Sequence, residues 1–289
     1  MELRQVEYVV AAVEHGGFGR AAEALGVSQP SVSQAIGALE RELGVALFHR
    51  LGRRVQLTSA GAAFLEPARQ VLRDALTARD TVRQVAGNAA GRLDVVSLPT
   101  LAVDPLAALI GRFRAKHPEV TVRLAEPDSA SEVIEMVRDG RCEVGLAQLP
   151  VRSDLVVNEL GVQELFAVSP PGTRARKTLD ATAAARLPLV TTPRGTSTRN
   201  LIDEAFAGAD VVPNIAVETG QREAILPLVL AGAGTCFLPG PLARRAREQG
   251  AVVCALNPPL RRRVGVVHRR GPLSPGASAF VALALARPR

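Results

Sequence analysis

The sequence predicts a mixed fold: a small all-α head with a β-hairpin wing, one long helix, and a two-lobed α/β body. Three observations predict it. Apolar residues recur three or four apart in three short runs between residues 3 and 43, each stopped by glycine. One apolar period then persists across residues 58–88. From residue 92 onward, short β-branched runs alternate with helical patterns, the signature of a sheet covered by helices.

In the head, Leu3, Val6, Val10 and Val13 mark a first helix that ends at Gly16-Gly17. Phe18, Ala21, Ala22 and Leu25 mark a second, ending at Gly26. Ser28 can cap a third, in which Val32, Ile36, Leu39 and Leu43 line one face. Pro30 is tolerated in the first turn because the amide it lacks would be unpaired there. The third helix ends near Leu43-Gly44. Two helices joined by a tight turn at Gly26 form a helix-turn-helix, whose second member enters the DNA major groove by its N-terminus.

The start of that third helix has an unusual composition. Ser28, Gln29, Ser31, Ser33 and Gln34 crowd its first two turns, where acids would suit the helix dipole. Carboxylates there would repel phosphates, whereas Gln and Ser match the donors and acceptors of base edges. The acids Glu40 and Glu42 come late, away from the end expected to face DNA. Gln29, Pro30, Ser31, Ser33 and Gln34 are therefore the candidate base-reading residues. After the helix, residues 45–50 and 51–58 read as two short strands around a basic tip, with Val45, Leu47, Phe48, Val55 and Leu57 facing inward. Arg50, Arg53 and Arg54 at the tip suit phosphate or a narrow minor groove.

Bulk properties agree with a soluble nucleic-acid binder. The chain has 289 residues, 47% hydrophobic and 22% charged, and a formal net charge of +7. Residues 1–91 carry ten Lys+Arg against nine Asp+Glu, so a DNA surface there must be a local patch. The acidic, amphipathic start lacks the pattern of a signal peptide, and no apolar run approaches the ~20 residues that span a bilayer. A cytoplasmic protein with no membrane partner is expected. Cys142, Cys236 and Cys254 form no C-x-x-C pair, and His15, His49, His117 and His268 lack zinc-ligand spacing. Buried thiols, surface imidazoles and no metal are the expectation.

The run from Phe18 to Gly61, containing AAEALGVSQPSVSQAIGALERELGVALFHR and LGRRVQLTSAG, resembles the winged helix-turn-helix of LysR-type transcriptional regulators. The order of everything after it matches as well. The resemblance departs at the turn before the second helix, where Gly17 or Gly19 stands in place of a capping Ser.

Residues 58–88 fit a long helix capped by Thr58 or Ser59. Phe64, Val71, Ala78 and Val85 recur every seven residues beside Leu65, Ala68, Leu72, Ala75 and Val82. Two apolar stripes call for a partner chain as well as the local head. The resemblance implies the same, a linker helix that pairs antiparallel with that of another subunit, in a dimer of dimers. Residues 87–91, GNAAG, form a hinge.

Strands are expected at 93–98, 120–125 and 144–147, with helices at 105–116 and 131–139 between them. A second set follows: strands at 164–168, 187–191, 214–218, 235–239 and 262–267, with helices at about 198–206 and 222–230. Two α/β lobes result. The late strand and the apolar end, 277–285, return to the first lobe, as they do in the family and in periplasmic-type binding proteins. The divisions expected are 1–58 for the winged helix-turn-helix domain, 59–91 for linker helix and hinge, and 92–289 for the effector-binding domain. Within the last, lobe I takes about 92–162 and 267–289 and lobe II about 163–266.

Open parallel sheets bind ligands beyond the carboxyl ends of their strands, and two-lobed versions close a cleft around them. That geometry nominates Thr100 after the first strand, Gln148 after the third, and Thr196, Ser197 and Thr198 at the start of a lobe II helix. A helix start suits a carboxylate or similar anion, although the same residues serve as plain N-caps. The resemblance puts these residues at effector-contacting positions, with Gln148 where some carboxylate-binding members carry Arg. Arg194, Arg199 and Arg222 could supply charge instead.

No Gly-x-Ser-x-Gly elbow or dinucleotide fingerprint occurs, and the Thr196–Asn200 turn lacks the reactive thiols of the family's peroxide sensors. No catalytic residues and no cofactor are expected. The expected function is a DNA-binding transcriptional regulator for a partly palindromic duplex operator, responsive to a metabolite or organic anion. The competing reading is a small-molecule binding or transport module whose N-terminal helices only oligomerise it.

Overall fold

The structure, a computed structural model, describes residues 1–49, 55–85, 91–151 and 154–286. The head holds α1 (Leu3–Glu14), α2 (Phe18–Leu25) and α3 (Gln29–Leu43), followed by the paired strands β1 (Phe48–His49) and β2 (Gln56–Leu57). Its core is built from small and medium side chains: Ala12, Ala21 and Ala22 let the helices approach closely, while Val32, Ile36 and Leu39 fill the space beneath α3. Phe18 meets Phe48 edge to face at 5.3 Å, tying the hairpin to the start of α2. Gly26 and Gly44 close α2 and α3 in the left-handed conformation. Gly17 is the N-cap of α2 and offers no side-chain bond.

The long helix α4 (Ser59–Val85) begins with the Thr58 hydroxyl accepting the Gly61 N–H at 3.0 Å. Its 27 residues span about 40 Å. Ala68 is buried against Val6 and Val10 of α1. On other faces Val71, Leu76 and Val82 are exposed, Val82 to 69%. Of the expected hinge, residues 87–90 lie outside the described residues and Gly91 opens the next strand.

The body continues with β3 (Gly91–Ser97), the short α5 (Pro99–Leu101), a kinked segment over Ala102–Leu106, α6 (Ala107–Lys116), β4 (Val120–Ala125), α7 (Ala130–Arg138), β5 (Val144–Leu149) and β6 (Val156–Ser169). Then come β7 (Thr178–Leu179), α8 (Ala181–Ala185), β8 (Leu189–Thr191), α9 (Ser197–Ala207), β9 (Ile215–Glu218), α10 (Arg222–Leu230), β10 (Cys236–Pro239), α11 (Gly240–Glu248), β11 (Val252–Leu256), β12 (Leu260–His268) and α12 (Pro275–Leu285). The main sheet runs β4-β3-β5-β12-β6-β11-β7, with β10 also on β6. Strands β3, β4 and β5 are parallel, as the alternating pattern requires, and β12 and β6 are antiparallel.

Strand β6 is shared. Residues 156–165 pair with β12, while 165–169 pair with β10 and β11. The first core, around Leu93, Phe113, Val144 and Leu146, takes in Val264 and Val266 of β12 and Phe280 of α12. Two further cores, around Leu165 and Phe206 and around Val168 and Val229, lie on the other side of the shared strand.

Several details depart from the sequence expectations. Val45 is 45% exposed, because the chain leaves Gly44 before turning inward at Leu47 and Phe48. The helix expected from Pro105 begins at Ala107, since Asp104 has extended backbone. The strand expected at 164–168 is the end of the fourteen-residue β6.

Gly61, in the first turn of α4, lies against the hairpin. A β-carbon there would meet the Leu47 carbonyl oxygen at 2.0 Å and Leu57 Cδ2 at 2.8 Å. Gly61→Ala is expected to destabilise the head by about 1–3 kcal/mol through this overpacking, seen as a lower midpoint in thermal denaturation of the full chain.

Candidate functional site

Two regions gather the polar residues nominated by the sequence. The first is the start of α3. The Ser28 hydroxyl accepts the Ser31 N–H at 3.3 Å and sits 2.7 Å from the Ser31 hydroxyl, fixing the helix entry. Gln29, Pro30, Ser31, Ser33 and Gln34 are all exposed, while Val32 and Ile36 between them are buried. The 3.6-residue period thus separates an apolar inner face from an amide and hydroxyl outer face. Gln29 and Ser33 border a concavity shared with Gly19, Arg20 and His49. Glu40, two turns further along, lines the same concavity, and its carboxylate accepts the Leu47 and Phe48 N–H groups at 2.7 and 3.1 Å to anchor the hairpin. Arg50, Arg53 and Arg54 lie outside the described residues.

The second region is the cleft between the lobes. Ser197, the first residue of α9, is its hub. Its hydroxyl donates to Gln148 Oε1 at 3.3 Å, and its N–H donates to the Asp128 carbonyl at 3.2 Å. Arg222 on α10 closes a second bridge to the Asp128 carboxylate at 2.7 Å. Thr100 enters through Arg262 of β12, whose Nη2 donates to the Thr100 hydroxyl at 2.5 Å. The same guanidinium donates from Nε to Gln163 Oε1 at 2.8 Å and from Nη1 to the Ser197 hydroxyl at 3.4 Å. Gln163 is in turn held by the Asp104 carbonyl at 2.6 Å.

Thr100, Gln148 and Ser197 therefore share one hydrogen-bonded network. Thr196 is buried, and its hydroxyl bonds the Pro193 carbonyl at 2.8 Å and the Thr192 hydroxyl at 2.6 Å rather than capping α9. With the Ser197 N–H given to Asp128, the Thr198 and Arg199 amides have no acceptor among the described residues.

Two family models match the chain, "Bacterial regulatory helix-turn-helix protein, lysR family" over residues 3–62 and "LysR substrate binding domain" over residues 86–289. The regulator TfdS of Cupriavidus pinatubonensis is 36% identical over 250 residues, 84% of each chain. IlvR of Caulobacter vibrioides is 32% identical over 289 residues, 98% of this chain and 97% of its own. The chain belongs to the LysR family of transcriptional regulators.

Among solved structures, full-length CbnR complexed with its target DNA superposes with a TM-score of 0.67 at 27% identity, covering 98% of this chain and 99% of that one. A full-length OxyR variant from Pseudomonas aeruginosa shares the fold, with a TM-score of 0.76 at 24% identity over 98% and 93%. This LysR-type regulator thus has a DNA-binding helix-turn-helix and an effector-binding domain, and the transport-module reading is not favoured. No described helix is long and apolar enough to cross a membrane.

The arginines expected to supply charge to the cleft are paired or exposed. Arg199 is 3% exposed, and its guanidinium pairs with Asp203 at 2.8 Å and Glu218 at 2.9 Å. Arg222 is paired with Asp128, and Arg194 is exposed. Arg262, which the sequence reading does not nominate, joins the network in their place. A usable signal existed: in LeuArgArgArgValGlyVal the strand period of two puts the middle arginine on the same face as Val264 and Val266.

All three cysteines of the regulator are buried. Burial pushes the thiols of Cys142 and Cys236 up to about 12 and raises that of Cys254, with nearby Arg176 opposing the last shift. A thiol so raised stays protonated and unreactive. Ellman's reagent at about pH 8, near the ordinary thiol range, is expected to label no cysteine of the native regulator and all three after denaturation.

Proposed function

We propose that this regulator reads duplex operator DNA with Gln29, Pro30, Ser31, Ser33 and Gln34 of α3, supported by phosphate contacts from Arg50, Arg53 and Arg54. The observation that carries the reading is the exposure of all five α3 residues on one helix start with no carboxylate among them. A glutamine there can bind adenine through two bonds, worth about 1–3 kcal/mol of discrimination. The target DNA named for CbnR supports duplex DNA as the partner.

A small organic effector then binds between the lobes near Thr100, Gln148, Thr196, Ser197 and Thr198. It shifts the balance between arrangements of the bridging contacts made by Ser197, and so between oligomer shapes that hold DNA differently. The division into a head at 1–58, linker at 59–91 and effector domain at 92–289 accounts for these roles. In the last, lobe I spans about 92–162 and 267–289 and lobe II about 163–266. The exposed apolar residues of α4 supply a surface for a second copy, in a dimer or a dimer of dimers. The protein acts in the cytoplasm as a regulator without catalytic activity.

The test is a gel shift of the full chain with its own upstream DNA over a salt series. Wild type is expected to bind with a steep loss of affinity as salt rises. Gln29→Ala/Gln34→Ala is expected to weaken operator binding by about 1–3 kcal/mol per lost base contact while leaving nonspecific binding largely intact. Equal operator affinity for the variant and wild type would refute the assignment.

A further inference from the structure

We propose that Arg262 is the anion anchor of the cleft and that it selects a ligand with one carboxylate; this rests on the reading of the cleft as the effector site. Arg262 is 3% exposed at the junction of the two lobes. No carboxylate among the described residues lies within the 4.0 Å of an ion pair. All its partners are neutral oxygens, those of Gln163, Thr100 and Ser197. A buried guanidinium held only by neutral groups is a charge whose desolvation is incompletely compensated, and it favours any anion that can reach it.

The surroundings define the ligand. The contact from Nη1 to the Ser197 hydroxyl is the longest of the set at 3.4 Å, and Ser197 of lobe II meets the guanidinium from the side opposite Thr100 of lobe I. A carboxylate entering between the lobes can replace that hydroxyl and take a two-point bond from the guanidinium. Beside it, the Thr198 and Arg199 amides at the start of α9 lack acceptors among the described residues and can complete its coordination.

Of the other arginines named for the cleft, Arg199 faces Asp203 and Glu218, Arg222 faces Asp128, and Arg194 is exposed to solvent. Gln148 adds no charge. The Asp104 charge offsets the burial of Arg262 only in part, so the guanidinium still favours one negative charge beside it. A dicarboxylate or a phosphate dianion would bring a second charge near Asp128 and Asp104 with nothing to balance it.

The test uses the full chain in thermal denaturation with acetate, isovalerate and benzoate, each against its primary amide, at ionic strength matched with sodium chloride. Succinate and phosphate serve as dianions. At least one monocarboxylate is expected to raise the wild-type midpoint while its amide does not. Arg262→Gln is expected to require roughly tenfold or more carboxylate for the same shift, and Arg262→Lys to retain part of the response.

The inference is overturned if no monocarboxylate shifts the wild type, if amide and acid act alike, if a dianion shifts it more than every monocarboxylate, or if Arg262→Gln responds as wild type. Should Arg262→Gln fail to melt cooperatively, the wild-type comparison of acids with amides and dianions decides alone. Operator binding by wild type is scored separately. Its absence refutes the regulator's DNA assignment, whereas its presence beside an unresponsive cleft refutes only the anchor.

Discussion

The pairing of β6 with β12 is the constraint on which the body depends. Both strands pass from one lobe into the other, and their antiparallel pairing runs from Leu260 opposite Leu165 to His268 opposite Val156, with one register shift between Val264 and Gly265. Around one end of this ribbon gather the valines of the first core, and around the other the cores of the second. Gln163 and Arg262 stand directly opposite one another in the register of this ribbon, which is why they form the centre of the network that joins the lobes. Everything else in the network reaches them from the flanks: Thr100 from the end of β3, Gln148 from β5, and Ser197 from α9.

The head solves a different problem with similar economy. A recognition helix must be held firmly on one side and left bare on the other. Alanines on α1 and α2 bring the supporting helices close, and Val32, Ile36 and Leu39 bury the inner face. Glu40 fixes the hairpin through two backbone amides, so this acid of the helix is used in the scaffold. Exposed Ser and Gln then occupy positions where folding makes few demands, leaving their identity open to recognition.

Much of this architecture is legible in the sequence. The order of head, long helix and two lobes follows from periodicity and from glycine stops, since Gly26 and Gly44 must supply the left-handed caps that end α2 and α3. Strand ends and a helix start nominate Thr100, Gln148 and Ser197, which the fold brings into one hydrogen-bonded network. What periodicity could not supply was pairing. That Arg199 is neutralised by Glu218, 19 positions along the chain, depends on how β9 lies beside α9. That Thr196 turns inward depends on a bond to Thr192. The length of β6 escaped because its first half, ValValAsnGluLeuGlyVal, carries polar residues on a strand exposed on one face.

The three consecutive arginines of β12 set a further limit on the body. Arg261 and Arg263 face outward and meet Glu164 and Glu159 of the neighbouring strand at 2.8 and 3.0 Å, while Arg262 alone turns in. Sliding β12 by a single position would drive two guanidiniums into apolar surroundings and strip both outer carboxylates of their partners. The ribbon is thus keyed like a ratchet tooth. Rotation of one lobe against the other must bend or twist this pair of strands, because slippage along it is forbidden.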